Sequence, residues 1–238
     1  MYQPDLLTFR RTDQVPEDFE HVAKEFADHF KVKRNYLRQF CKLIQTSKKW
    51  NITNLTSSLT RWAQFFGAVQ GREKIINLVQ RAFDLCQTDM DIDNLRGIIV
   101  ESILIAACGG SAILSDPSYG WGSKVYLKND NGRNDVIRYH CCEHKMTECG
   151  NRATVDLAKW NGYSGSFYEC KANPISIGCK EISYMNYLRQ QLEDKSVSHE
   201  TFFVCTENAE SIQIRLAEFN CSPLLKPLGI EKLESMIA

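Results

Sequence analysis

Apolar residues recur at helical intervals through the first third of the chain. After Pro16, the residues Phe19, Val22, Ala23, Phe26 and Phe30 form one stripe. This is the three-and-four spacing of a helix buried along one side, and a proline suits the first turn of a helix. Tyr36, Leu37, Phe40, Leu43 and Ile44 predict a second helix. The polar run NITNLTSS reads as a loop and cap region. Leu59, Trp62, Ala63 and Phe66 begin a third helix, and beyond Gly71 the residues Ile75, Ile76, Leu78, Val79 and Phe83 form a fourth. Asp89-Met90-Asp91-Ile92-Asp93-Asn94 is acidic and turn-like, and the domain boundary is placed there. Residues 1–90 are thus expected to form an all-α helical bundle.

The pattern then changes. Residues 95–108, LRGIIVESILIAAC, predict a very apolar helix ended by Gly109-Gly110. WGSKVYLK and DVIRYHCC read as strands joined by Asn129-Asp130-Asn131-Gly132-Arg133, whose Asn-Gly is a strong turn signal. RATVDLAKW and SFYECKA follow as two strands around the turn Asn161-Gly162-Tyr163-Ser164-Gly165. CKEISYMNYLRQQLE predicts an amphipathic helix, TFFVCT a short apolar strand central in its sheet, and AESIQIRLAEF a further helix. Residues 91–238 are therefore expected to form an α/β domain, a mixed central sheet flanked by helices.

At 238 residues the chain has room for one large domain or two modest ones. Its longest apolar run, IIVESILIAAC, is broken by Glu101 and Ser102 and falls short of the ~18 residues that span a bilayer. MYQPDLLTFRR lacks the basic start and apolar centre of a signal peptide. The expectation is a cytoplasmic protein with no membrane partner, its ten cysteines held as thiols.

Net charge is zero, which argues against a generic nucleic-acid-binding protein, but the distribution is lopsided. Residues 31–75 hold ten lysines and arginines against Glu73 alone, a net +9, whereas residues 1–30 carry a net −4. Such polarity suggests an anionic partner, another protein or a charge-matched second copy. Lys31, Lys33, Arg34, Arg38, Lys42, Lys48 and Lys49 are the candidate phosphate contacts, interleaved with Tyr36, Phe40, Trp50, Trp62, Phe65 and Phe66. The alternative puts the aromatics in the core and leaves a solvated basic face.

The most informative chemistry is Asp156 followed, after twelve intervening residues, by Glu169-Cys170-Lys171. Side chains alternate along a strand, so Glu169 and Lys171 share a face. A hairpin would return Asp156 to the side of Glu169. Two carboxylates and the backbone carbonyl of Cys170 make an oxygen site for a hard ion, Mg²⁺ or Mn²⁺, and a lysine beside them would orient or activate an attacking water. The alternative is a turn acid beside a cross-strand ion pair. Glu101, a lone acid in an apolar helix, is costly to bury unless it is paired or bound to metal. It is the candidate third acid. Lys180 and Tyr184 share a helical face after the lysine strand, which makes Lys180 a candidate for the scissile phosphate and otherwise a solvated side chain.

These residues resemble the PD-(D/E)XK nuclease superfamily, the restriction-endonuclease-like fold, over roughly residues 90–220. The matching positions are Val155-Asp156 and Glu169-Cys170-Lys171, with Arg96-Gly97-Ile98-Ile99-Val100-Glu101 similar to the helix that precedes the strands and supplies an acid. Val155 stands where the name-giving proline would be. The resemblance implies a metal-dependent nuclease acting on DNA, with RNA left open, in restriction or antiviral defence. A vaguer resemblance joins residues 57–85 to death-fold-like adaptor domains, which would make the basic face a protein-docking surface. The alternative function is a non-catalytic nucleic-acid-binding or adaptor protein on the same fold. His140, Cys141, Cys142, His144 and Cys149 are grouped, but structural zinc sites show two separated ligand pairs and no second C-x-x-C is present. Zn²⁺ is therefore not the expected ion.

Overall fold

The computed structural model describes residues 2–140, 151–220 and 223–237. The chain divides into two compact units, Met1–Gln14 with Ala112–Gly229, and Val15–Ser111 with Ile230–Ala238.

The second of these is helical: α1 (Glu17–Val32), α2 (Leu37–Thr46), α3 (Leu55–Gly67), α4 (Glu73–Asp84), α5 (Asp89–Cys108) and the C-terminal α8 (Ile230–Met236). Its core is built on the apolar stripes, with Phe26, Phe30, Phe40 and Phe83 fully buried. The Phe30 and Phe40 rings lie 4.7 Å apart between centroids.

One expectation about this unit needs correcting. The acidic run at 89–94 is not a boundary but the start of α5. The Thr88 side chain accepts from Asp91 N at 3.2 Å, and Asp91 Oδ2 accepts from Thr88 N at 2.8 Å, a reciprocal cap. Asp89 Oδ1 also accepts from Ile52 N. The α5 helix is buried on nearly every side and packs on α1 and α8, so the helical unit runs to Ser111 rather than ending at 90.

The other unit is a mixed sheet of seven strands among the described residues, flanked by helices. Its elements are β1 (Leu7–Arg11), β2 (Tyr119–Lys128), β3 (Asn134–Val136), β4 (Thr154–Trp160), β5 (Ser164–Lys171), α6 (Cys179–Asp194), β6 (Ser198–Cys205), α7 (Ala209–Ala217) and β7 (Leu225–Leu228). The order is β1-β2-β4-β5-β6-β7, with β3 also paired to β2. The first strands meander antiparallel. From β5 onward the pairing is parallel, since α6 and α7 serve as crossovers. Residues 201–205 of TFFVCT lie in β6, paired on both sides but one place from the β7 edge. Of DVIRYHCC, the described residues place Asp135 and Val136 in β3 and Tyr139 in a bridge to Arg152. β1 falls within the span expected to be helical; it pairs instead with β2, Phe9 opposite Val125. No described helix is long and apolar enough to cross a membrane.

Candidate active site

The hairpin between β4 and β5 is set by local chemistry. Asn161 Oδ1 accepts from the backbone N–H groups of Tyr163 and Ser164 at 2.9 and 2.8 Å, and Gly162 takes φ +86°. An asparagine that bonds its own following backbone and a glycine at positive φ define a tight turn. The strands leave it in the register Trp160 to Gly165 and Leu157 to Tyr168. One step further, that register sets Asp156 against Glu169, and directly opposed residues share a face. Lys171, two residues on, shares it too, and its Nζ donates to Glu169 Oε1 at 2.7 Å. Asp156 Oδ2 accepts from the backbone N–H of Cys170 at 2.6 Å.

Two charged residues complete the cluster that sequence reasoning missed. Arg152, just ahead of β4, donates from Nη2 to Glu169 Oε2 at 2.5 Å and reaches Asp156 Oδ1 at 3.7 Å. Its Nη1 lies 3.3 Å from Glu181 Oε1. Glu181 sits in the first turn of α6, where its Oε2 accepts from Gly178 N at 3.1 Å while Oε1 also lies 3.3 Å from Lys171 Nζ. The spacing of Gly178 and Glu181 is that of a helix cap, a signal that would have put an acid directly after the lysine strand. No local signal marks Arg152. One turn along α6, Tyr184 is fully buried, and its hydroxyl has no hydrogen-bond partner among the described residues.

Glu169 is 0% exposed. A buried carboxylate survives ionised only with partners, and Lys171 and Arg152 take one oxygen each. Burial, with the neighbouring Glu169, pushes the Asp156 carboxyl up to about 7, against the pull of Lys171, Arg152 and the Cys170 N–H. For Lys171, burial works against the charge, but Glu169, Asp156 and Glu181 override it and hold the ammonium above its ordinary range. Burial likewise opposes the charge of Glu181, yet Lys171 outweighs it and keeps that carboxyl below the usual range.

The remaining candidates are placed as follows. Glu101 is on α5 and belongs to the helical unit; the third acid that the sheet unit itself brings to the cluster is Glu181. Lys180 is half-buried beside Glu181, and it is Glu181 that the first turn of α6 brings to Lys171. Lys31, Lys33, Arg34, Arg38, Lys42, Lys48 and Lys49 are all exposed residues of the helical unit. Two of them have partners in the chain: Arg34 Nη1 donates to the Ile237 carbonyl at 2.6 Å, and Arg38 pairs with Glu234 at 2.7 Å. Tyr36, Phe40 and Phe66 are core residues, whereas Phe65 is 79% exposed. His140 Nδ1 lies 2.8 Å from Asn151 Oδ1; Cys141, Cys142, His144 and Cys149 lie outside the described residues.

A hard divalent ion takes carboxylate and carbonyl oxygens, the donors that Asp156, Glu169 and Cys170 present. A guanidinium already lies against both acids, so the space between them accepts positive charge. The residues fit Mg²⁺ or Mn²⁺ provided that Arg152 gives way. No group of three or more His, Cys, Asp or Glu gathers as a metal cage among the described residues.

No protein-family model matches the chain, and no curated protein matches it. Among solved structures it is similar to the crystal structure of protein VC1899 from Vibrio cholerae, at 10% identity and a TM-score of 0.39. The match covers 98% of this chain and 57% of that one, so the chain spans little more than half the length of that protein.

Proposed function

We propose that the protein is a metal-dependent phosphodiesterase, a DNA endonuclease on a restriction-endonuclease-like core, serving restriction or antiviral defence. One observation carries this: two acids from adjacent strands meet beside a lysine 2.7 Å from one of them, and burial with the neighbouring acid pushes the other carboxyl up to about 7. Perturbed carboxyls with specific charge partners mark functional sites. Asp156, Glu169 and the Cys170 carbonyl would hold Mg²⁺ or Mn²⁺, which supplies charge stabilisation at a phosphate and lowers the pKa of a bound water. Lys171, held firmly protonated by Glu169 and Glu181, acts as a donor: it orients the attacking water or meets charge developing on the phosphate. It is not a base. The exposed lysines of the helical unit would grip the backbone of the nucleic acid.

The deciding experiment incubates purified protein with supercoiled plasmid in Mg²⁺, Mn²⁺ or excess EDTA, beside Asp156→Asn. Metal-dependent nicking by the wild type alone is expected. Cleavage in EDTA, or by Asp156→Asn, overturns the assignment.

A second possibility is a non-catalytic nucleic-acid-binding or adaptor protein. It is favoured by the pairing of both Glu169 oxygens with cations, the pattern of a structural ion cluster. It predicts DNA or protein binding without cleavage in any metal.

A further inference from the structure

Resting on the metal-dependent reading, we infer that Arg152 is a built-in counter-ion that holds the metal position between Asp156 and Glu169 and leaves it for a substrate phosphate, so that ion and phosphodiester bind together. A single nitrogen, Nη2, makes both contacts, at 2.5 Å to Glu169 Oε2 and 3.7 Å to Asp156 Oδ1. A divalent ion sits about 2.0–2.6 Å from its oxygens. An ion on Glu169 Oε2 and facing Asp156 would therefore overlap Nη2, and the two cations exclude each other.

The surroundings allow an exchange. Glu169 keeps Lys171 on Oε1 when Arg152 departs, so its buried charge is not left bare. The Asp156 contact is the longest of the three that Arg152 makes with carboxylates, and its Nε also donates to the Thr154 carbonyl at 3.2 Å. Arg152 lies outside the β4 ladder, held to Tyr139 by an isolated bridge, and its side chain is 11% exposed. The planar fork of a guanidinium matches two phosphate oxygens at once, a better exchange for Arg152 than for Lys171. Phosphate would draw Arg152 out, and the vacated carboxylates would be open to the ion, so that each favours the other.

The test measures Mn²⁺ binding by calorimetry, with dimethyl phosphate as the phosphodiester probe, on wild type, Arg152→Gln, Arg152→Lys and Asp156→Asn. Without the probe, Arg152→Gln should bind Mn²⁺ at least about tenfold more tightly than wild type, since one nearby charge shifts an ionic equilibrium by that much. Dimethyl phosphate should tighten Mn²⁺ binding to wild type and leave Arg152→Gln unchanged. Mn²⁺ affinity in Arg152→Gln equal to or below wild type overturns the inference, as does equal tightening by the probe in both. Should Arg152→Gln fail to fold, wild type and Arg152→Lys decide it, because the charge is kept but the two-point grip on phosphate is lost. The probe should then tighten Mn²⁺ in wild type more than in Arg152→Lys, and equal effects overturn it. Absence of any Mn²⁺ site sensitive to Asp156→Asn, in every variant, overturns the metal reading itself.

Discussion

Asp156 accepts a 2.6 Å hydrogen bond from the backbone N–H of Cys170, the residue between Glu169 and Lys171. The acid of one hairpin arm is thereby fixed to the backbone of the other, at the point where that arm carries its own acid and lysine. Hairpin register and site geometry are thus linked. A slip of one residue would turn Asp156 to the opposite face and separate the two carboxyls.

The two acids should respond oppositely to neutralisation. Glu169→Gln leaves the Arg152 and Lys171 contacts without their buried counter-charge, and breaking such a pair costs about 3–5 kcal/mol. Asp156→Asn keeps an acceptor for Cys170 and removes a charge that burial disfavours, so at pH 7.5 it should be at least as stable as wild type. Urea melts at pH 7.5 check both. A Glu169→Gln melt matching wild type would refute the network as drawn.

Asp156 also imposes a pH dependence. Its folded carboxyl is raised to about 7 from an ordinary value of 3.8, so the folded state binds the extra proton. Its contribution is fully present below about 4 and is lost as pH rises through about 7. Between those limits, Asp156→Asn should show a flatter stability profile than wild type in the absence of metal. Parallel profiles would mean that Asp156 titrates normally.

The exposed lysines should control salt sensitivity. Lys42, Lys48 and Lys49 are exposed, and each phosphate contact adds about 0.9 to the log–log salt slope on duplex DNA. Changing all three to glutamine should flatten the slope by up to about 2.7 and leave the Asp156 site intact. An unchanged slope, with self-association lost instead, would make this face a protein surface.

Arg34 and Arg38 should be tested apart from those lysines, because they hold the C-terminal helix. Arg34 bonds the Ile237 carbonyl and Arg38 pairs with Glu234. Arg34→Ala should cost about 1 kcal/mol, and Arg38→Ala, an exposed pair, less. Limited proteolysis of the double variant should cut earlier near residue 230, read by mass spectrometry.

Much of this architecture was legible in the residue order. Helices α1 to α4 follow from stripes such as Phe19, Val22, Phe26 and Phe30, because helical periodicity records which side faces the core. The pairing of Asp156 with Glu169 follows from strand alternation and the Asn161-Gly162 turn, both local properties. Through-space partners left no such trace. Arg152 reaches Glu169 across 17 residues and Glu181 across 29. Only the sheet and the crossover helix α6 bring those charges together. The acids at 89–94 are as suited to a turn as to the cap that they form, and α5, apolar on nearly every side, gives no sign of its neighbour. Strand β1, five residues with two exposed arginines, gained its place only by pairing with β2. Periodicity is set within one element and survives in sequence; ion pairs and docking depend on distances between elements, which the tertiary fold alone decides.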